Sequence, residues 1–198
     1  METLNKTDIP ADVFKIWEKY SLKENIRKHC IKVMEVALKI AQHVKVNKEI
    51  DIEAIKIGAL LHDIGWAVTN NPFEHFIEGA KILEKEGFSE KIVLIVERHF
   101  GSGLSKEEAR KLGLPERNYL PLSPEEKIVC YADNLVEGNK ERSFEQYLNW
   151  LSKIEEKSPE LKWLVEKTEE RAKRLRNELD YNQNQHLFEL VIKIKAGY

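Results

Sequence analysis

The chain has 198 residues, enough to bury one good-sized core, so a single domain is the expected organisation. Its 32 Lys and Arg nearly balance its 34 Asp and Glu, and the net charge of −2 excludes a global basic surface for nucleic acid; no DNA-binding motif is present. The N-terminus carries no apolar signal segment and the aliphatic runs are too short to cross a bilayer, so we expect a cytoplasmic protein that makes no membrane contact.

The first part of the chain predicts two amphipathic helices. A short helix is expected to begin at Pro10, which suits a first helical turn. Ser21 and Glu24 have the spacing of a capping box for the second helix. Apolar residues then recur every three or four positions to about Asn47, and His29 falls on this inner stripe.

The next helices each bring a titratable residue to an inner face. Asp51 can cap a helix that leads to residues 60–65, Leu-Leu-His-Asp-Ile-Gly, where the glycine is expected to provide a left-handed stop. A following helix carries His75 and Glu78, and the one after it closes at His99.

The helical spacing of apolar residues becomes irregular between Gly101 and Leu122, where a short helix after Ser105 is followed by a loop that contains prolines. A lid over a site and a plain surface connection are equally good interpretations of this segment. A further helix restarts at Ser123, and Asp133 lies on or beside its buried stripe.

The remainder predicts two charged amphipathic helices, from Ser143 to Lys157 and from Pro159 to about Asn182. A short apolar segment, 187–194, fits either a helix or a strand. No alternating β-branched runs with hairpin turns build a sheet, so the expected fold class is all-α.

Six titratable side chains on five helices fall on predicted inner faces: His29, His62, Asp63, His75, His99 and Asp133. Burying them apart would carry a large desolvation cost, which convergence on metal removes. Mixed imidazole and carboxylate ligands suit Mn, Fe, Co, Ni or Zn, and Mg is also possible. We therefore expect a divalent-metal site, with open positions for water and substrate.

The order His, His-Asp, His, His, Asp resembles the HD-domain superfamily of metal-dependent phosphohydrolases. The stretch His62-Asp63-Ile64-Gly65 is similar to its HDIG subgroup. The resemblance covers about three-fifths of the chain. It implies an HD-domain helical bundle at residues 20–140 within a single domain 1–198. Residues 141–198 would then be a helical extension, packed on the core or placed at a homodimer contact.

The resemblance also implies a role for each residue of the set. In single-metal relatives one ion is bound by the residues that correspond to His29, His62, Asp63 and Asp133. His75 and His99 match the extra histidines of two-metal relatives, in which the aspartate corresponding to Asp63 bridges the ions. A bridging hydroxide would attack the phosphorus, so His62 and Asp63 are the expected catalytic centre.

One position departs from the HDIG pattern. Many relatives have lysine after the glycine, where a cation contacts substrate phosphate, but this chain has Trp66. Arg98 is the expected substitute, with Lys106 and Arg110 as further substrate-binding candidates, although each alone is more typical of a surface residue. Trp66 can stack on a base or, more typically, pack at the helix end. Glu78 can orient a metal ligand or remain solvated.

The segment from Arg98 to Asn134 also resembles a small, mostly archaeal group of HDIG proteins labelled as predicted hydrolases and grouped with the HD domain of a bacterial endoribonuclease. This implies a phosphodiesterase or phosphomonoesterase that acts on a small-molecule nucleotide or an RNA end. One alternative is hydrolysis of a phosphoanhydride in a dinucleoside polyphosphate or nucleoside triphosphate. Another is a non-catalytic module that binds a nucleotide or a protein and keeps a structural metal. Degenerate HD domains lack ligand positions, whereas all six are present here, which favours catalysis.

Overall fold

Helices form nearly all of the regular structure in residues 9–44 and 49–179, the parts of the chain that this computed structural model describes. The helices are α1 (Ala11–Lys19), α2 (Glu24–Val44), α3 (Ile52–Leu61), α4 (His75–Lys85), α5 (Glu90–Glu97), α6 (Lys106–Lys111), α7 (Pro124–Asn134), α8 (Phe144–Lys157) and α9 (Lys162–Leu179). Short 3₁₀ helices lie at Ile64–Ala67, Phe100–Ser102 and Pro159–Leu161. The all-α prediction is confirmed. The helix end expected near Asn182 and the segment 187–194 lie outside the described residues.

A small antiparallel hairpin follows α7. Its strands are β1 (Val136–Glu137) and β2 (Lys140–Glu141), and Val136 pairs with Glu141. Gly138 adopts a φ of 60° in the turn, a conformation that glycine reaches without steric cost. Two-residue strands are too short to show an alternating pattern, which is why the sequence did not predict them.

The core forms around α3, in which six of the ten residues are buried. Ile55, Ala59 and Leu60 in this helix are fully buried. These apolar side chains must be covered, and α3 packs against α2, α5 and α7. At Gly58 a Cβ would lie 2.6 Å from the Ile95 side chain, so the absence of a side chain allows α3 and α5 to approach closely.

Helices α8 and α9 contribute to the same core. Tyr147 and Leu151 of α8 and Leu175 of α9 are buried within it. Charged pairs such as Glu169 with Lys173 line the exposed face of α9, as predicted. The division at residue 140 and the homodimer contact remain predictions. Within the described residues, no helix combines the length and the apolarity that crossing a bilayer requires.

Most of the predicted helix starts are confirmed, but the capping box at Ser21 is wrong. Ser21 has a φ of 52°, and the following Leu22 N–H donates to the Trp17 carbonyl at 2.9 Å. Ser21 therefore closes α1 in a left-handed turn and does not cap α2. By contrast, the Asp51 side chain accepts from the Ala54 N–H, as a cap of α3 should.

Residues 101–122 pack onto a second small cluster of buried side chains. Leu104 and Tyr119 exchange two backbone hydrogen bonds, and both are almost completely buried. Ser105 and Glu108 form the capping box of α6. This anchoring favours a fixed connection over a lid.

Candidate metal centre

The four histidines on inner faces share one arrangement: the Nδ1 atom of each faces a backbone carbonyl oxygen. The distances are 2.7 Å from His29 to Gly138, 2.8 Å from His62 to Ala59, 2.8 Å from His75 to Pro72 and 2.7 Å from His99 to Val96. A neutral imidazole that donates from Nδ1 keeps the lone pair on Nε2. Each ring is thus oriented to offer Nε2 to a metal.

Two of these histidines and an aspartate form what we call the first group: His29, His62 and Asp133. The Asp133 Oδ1 lies 3.0 Å from His29 Nε2 and 3.5 Å from His62 Nε2. The Oδ2 of Asp63 lies 3.7 Å and 3.6 Å from the same two nitrogens. The ligand atoms of His29, His62 and Asp133 are close enough together to bind a single ion.

The second group is His75 and His99. Their Nε2 atoms lie 3.0 Å apart. The Oδ1 of Asp63 lies 3.4 Å from His75 Nε2 and 3.6 Å from His99 Nε2. The two carboxylate oxygens of Asp63 therefore face different groups.

The charges at this centre fit divalent ions. His62 is fully buried, and its Nε2 has no hydrogen-bond partner among the described residues. Burial lowers the pKa of His75 to about 4, so this ring is neutral near pH 7 and presents a lone pair to His99. With both Nδ1 atoms donating to carbonyls, a proton or a cation is needed between the two facing Nε2 atoms.

The carboxylates raise the pKa values of the two histidines in the first group, whereas burial lowers the pKa of His75. Burial opposes the charged form of His62, yet Asp63 raises its pKa well above the ordinary value. Burial likewise opposes protonation of His29, and Asp133 raises its pKa. In return, the hydrogen bond from His29 and the nearby His62 ring hold the pKa of Asp133 well below its ordinary value despite burial. The two aspartates thus supply negative charge at this centre, which divalent ions balance when they replace the protons on His29 and His62.

Gly65 positions this centre in a way that differs from its predicted role. It does not adopt a left-handed conformation, and it lies inside the 3₁₀ helix that follows α3. A Cβ on Gly65 would lie 1.8 Å from the His75 carbonyl oxygen. The glycine is therefore required for the close approach of α4, which brings His75 to Asp63.

Trp66 contacts the centre directly. Its indole N–H donates to the Oδ1 of Asp63 at 2.9 Å. The indole also stacks on the His75 ring, with 4.5 Å between centroids and 13° between planes. Trp66 therefore does more than pack at a helix end, because it restrains the carboxylate that faces both groups.

Cys30 also lies beside the first group. Its Sγ is within 4.8 Å of ligand atoms of His62 and Asp63. Burial raises the pKa of the Cys30 thiol, so the thiol is protonated when no metal is bound. The ligand set proposed below consists of imidazole and carboxylate groups and does not include Cys30.

The structure does not bring the other predicted site residues to the centre. Arg98 pairs with the buried Glu126 at 3.0 Å, where it balances that carboxylate. Lys106 and Arg110 lie on the exposed face of α6. Glu78 pairs with Lys81 on its own helix, and within the described residues no hydrogen bond or ion pair joins it to a histidine. Of these four residues, none lines either of the two cavities beside the centre.

Two cavities adjoin the centre. The larger has a volume of about 530 Å³ and touches Asp63, His75 and Asp133 at one end, while α8 and α9 form its far walls. The smaller, of about 450 Å³, opens on the other side beside His29 and Lys28. Arg142 lines the larger cavity, and sequence reasoning missed it because its place depends on the unpredicted hairpin.

A family model described as the HD domain matches residues 26–138, more than half of the chain. The chain belongs to the HD-domain family. This confirms the predicted superfamily and the enzyme class, a metal-dependent hydrolase of the HD superfamily. The match does not extend to the HDIG subgroup, which remains a prediction.

This HD domain is also similar to several curated proteins. An uncharacterized protein of Methanocaldococcus jannaschii is 51% identical over 119 residues, which is 59% of this chain and 69% of that protein. A tRNA (cytidine(56)-2'-O)-methyltransferase of Picrophilus torridus is 44% identical over 63% of this chain and 35% of its own length. Ribonuclease Y of Thermosipho melanesiensis is 33% identical over 73% of this chain and 25% of its own length.

The chain thus spans about a third of the methyltransferase and a quarter of the ribonuclease, so the activities in those names belong to those proteins. Among solved structures, the HD domain of the L. monocytogenes phosphodiesterase PgpH, in complex with cyclic-di-AMP, matches with a TM-score of 0.50 and 18% identity. The match covers 85% of this chain and 93% of that one. At this identity the likeness shows the fold alone.

Proposed function

We propose that this HD domain is a phosphodiesterase or phosphomonoesterase that acts on a nucleotide through two divalent ions. The observation that carries the proposal is the placement of Asp63, whose Oδ2 faces the first group and whose Oδ1 faces the second. A carboxylate placed in this way can bridge two ions. Two adjacent ions are a common arrangement for phosphoryl transfer.

In this proposal the first group and Asp63 hold one ion, and the second group and Asp63 hold the other. When bound, the ions supply Lewis-acid activation of water and of the phosphoryl oxygens. The chain's own residues orient the centre. The backbone carbonyls fix the four imidazole rings through Nδ1, and the indole of Trp66 fixes the carboxylate of Asp63.

The names of two similar proteins support a nucleotide as the substrate. Ribonuclease Y is named for RNA, and the PgpH structure contains cyclic-di-AMP. Both ligands are nucleotide phosphodiesters. The candidate ions are Mn, Fe, Co, Ni and Zn, which suit imidazole and carboxylate donors, together with Mg.

A hydrolysis screen tests the proposal. The full chain is loaded with Mn, Ni, Co or Mg and incubated with cyclic nucleotides, cyclic dinucleotides, nucleoside monophosphates, dinucleoside polyphosphates and 5′-phosphorylated RNA. We expect release of phosphate or a nucleotide product, and its loss with a chelator. Asp63→Ala should lose both bound metal and activity, whereas the control Asp12→Ala, at an exposed position of α1, should retain both. Failure to bind any divalent ion would refute the proposal.

A further inference from the structure

The larger cavity is formed in large part by residues beyond the matched HD region, which ends at residue 138. Tyr147, Trp150, Leu151 and Ile154 of α8 contribute to its walls, and α9 contributes a further set of side chains. At its other end it touches Asp63, His75 and Asp133. Helices α8 and α9 thus enclose a space that begins at the candidate metal centre.

The walls of this cavity are mainly apolar and aromatic. Trp66, Phe73 and Phe100 line it near the metal centre. The side contributed by α9 and the preceding 3₁₀ helix carries Leu161, Leu164, Val165 and Thr168. A volume of about 530 Å³ falls within the usual range for small-molecule sites, which are lined mainly by apolar side chains with a few polar groups.

Arg142 supplies a positive charge in the cavity wall. Its guanidinium lies over the rings of Tyr147 and Trp150, at 5.0 Å and 4.8 Å from their centroids. Its Nε donates to the Asn134 carbonyl at 3.0 Å, and Glu137 lies 3.9 Å from its Nη1. A guanidinium that packs against aromatic rings in this way is suited to recognition of a phosphate group.

The distribution of charge argues against a polynucleotide in this space. Arg142 is the one Lys or Arg among the lining residues in the described parts of the chain. Proteins that bind a nucleic-acid strand follow its backbone with several cations along a groove. One cation beside the metal centre, with apolar walls beyond it, matches a ligand that has a phosphate at one end and a planar apolar group at the other.

We propose that the cavity between the metal centre and helices α8 and α9 binds the nucleoside of a small nucleotide, with Arg142 contacting its phosphate. This inference rests on the proposed function, since it names the substrate class of the same site. The base lies among the apolar and aromatic walls, and the phosphate lies at the end formed by Asp63, Asp133 and Arg142.

The test compares the binding of two phosphoesters that differ only in the base. Isothermal titration calorimetry on the Mn-loaded full chain measures the affinities for adenosine 5′-monophosphate and ribose 5-phosphate. Since base stacking contributes about 1–3 kcal/mol, the nucleotide should bind at least about fivefold more tightly. Ile154→Trp, which fills the cavity, should abolish this difference. Lys153→Trp, on the exposed face of the same helix, should preserve it.

Leu161→Trp is a second filling variant, in case Ile154→Trp fails to fold, because Leu161 is a half-buried wall residue outside α8. Equal affinities for the two phosphoesters in the wild-type protein would overturn the inference, as would a folded filling variant that keeps the preference. Tighter binding of a 5′-phosphorylated RNA decamer than of the mononucleotide would also overturn it. Binding of the mononucleotide without hydrolysis in the screen would support the cavity assignment while contradicting the proposed function.

Discussion

Replacing Trp66 with phenylalanine removes a single hydrogen bond from the carboxylate that faces both groups. The indole N–H lies 2.9 Å from the Oδ1 of Asp63, the oxygen directed at His75 and His99. A hydrogen bond to a charged group contributes about 1.5–3 kcal/mol, and losing a group that orients a metal ligand typically weakens metal binding by about 10–100-fold. Phenylalanine can still stack on the His75 ring, so the change isolates the hydrogen bond.

We expect Trp66→Phe to lower the affinity for the ion of the second group by about 10–100-fold, while the first ion binds nearly as in the wild type. Competition titrations of the metal-free protein with a chromophoric chelator measure the two affinities separately. Trp163→Phe is the matched control, because that indole packs over Lys111 and does not line either cavity beside the centre. Unchanged affinity of both ions in Trp66→Phe would refute this account of the residue.

Three further predictions concern folding, charge and pH. Gly65→Ala should lower the free energy of unfolding by at least about 3 kcal/mol in urea titrations, because its Cβ would clash with the His75 carbonyl. Arg98→Ala should lower the free energy of unfolding by about 3–5 kcal/mol, because it leaves Glu126 buried and unpaired. Arg110→Ala should lower it by less than about 0.5 kcal/mol. If Arg98 bound substrate, its folded variant would lose activity. Metal binding must displace protons from the first-group histidines, whose pKa values are raised. The affinity for Mn should therefore rise with pH until those pKa values are exceeded. An affinity that stays the same from pH 6 to pH 8 would contradict this prediction.

The sequence predicts those parts of the molecule that follow from local periodicity. Apolar residues at helical spacing place His29 on the inner face of α2, and the cap at Asp51 fixes the start of the helix that leads to His62. The six expected side chains are brought together because each lies on a face that must be buried. Their roles as metal ligands remain a prediction.

Other features depend on contacts between elements that are distant in the sequence. The steric need at Gly65 comes from the backbone of α4, so the local pattern suggested a left-handed stop instead. The indole of Trp66 reaches Asp63 through a 3₁₀ turn that the sequence did not predict. Arg142 enters the cavity wall through the short hairpin and two aromatic rings of α8.

Arg98 shows why a cation beside a ligand in the sequence need not be beside it in space. It lies next to His99 in the chain, but at the end of a helix adjacent residues diverge by about 100°. Its guanidinium turns to Glu126, which would otherwise be a buried carboxylate without a counterion. The charge balance of the core therefore decides the place of Arg98.

The arrangement of ions around Asp63 tests the central claim most directly. A crystal structure of the Mn-loaded protein, with anomalous data collected at the manganese edge and elemental analysis of the same sample, locates and counts them. We predict two manganese ions per chain, one beside His29, His62 and Asp133 and the other beside His75 and His99, each bound to a different oxygen of Asp63. A single ion bound by both oxygens of Asp63, with none at His75 and His99, would contradict the account.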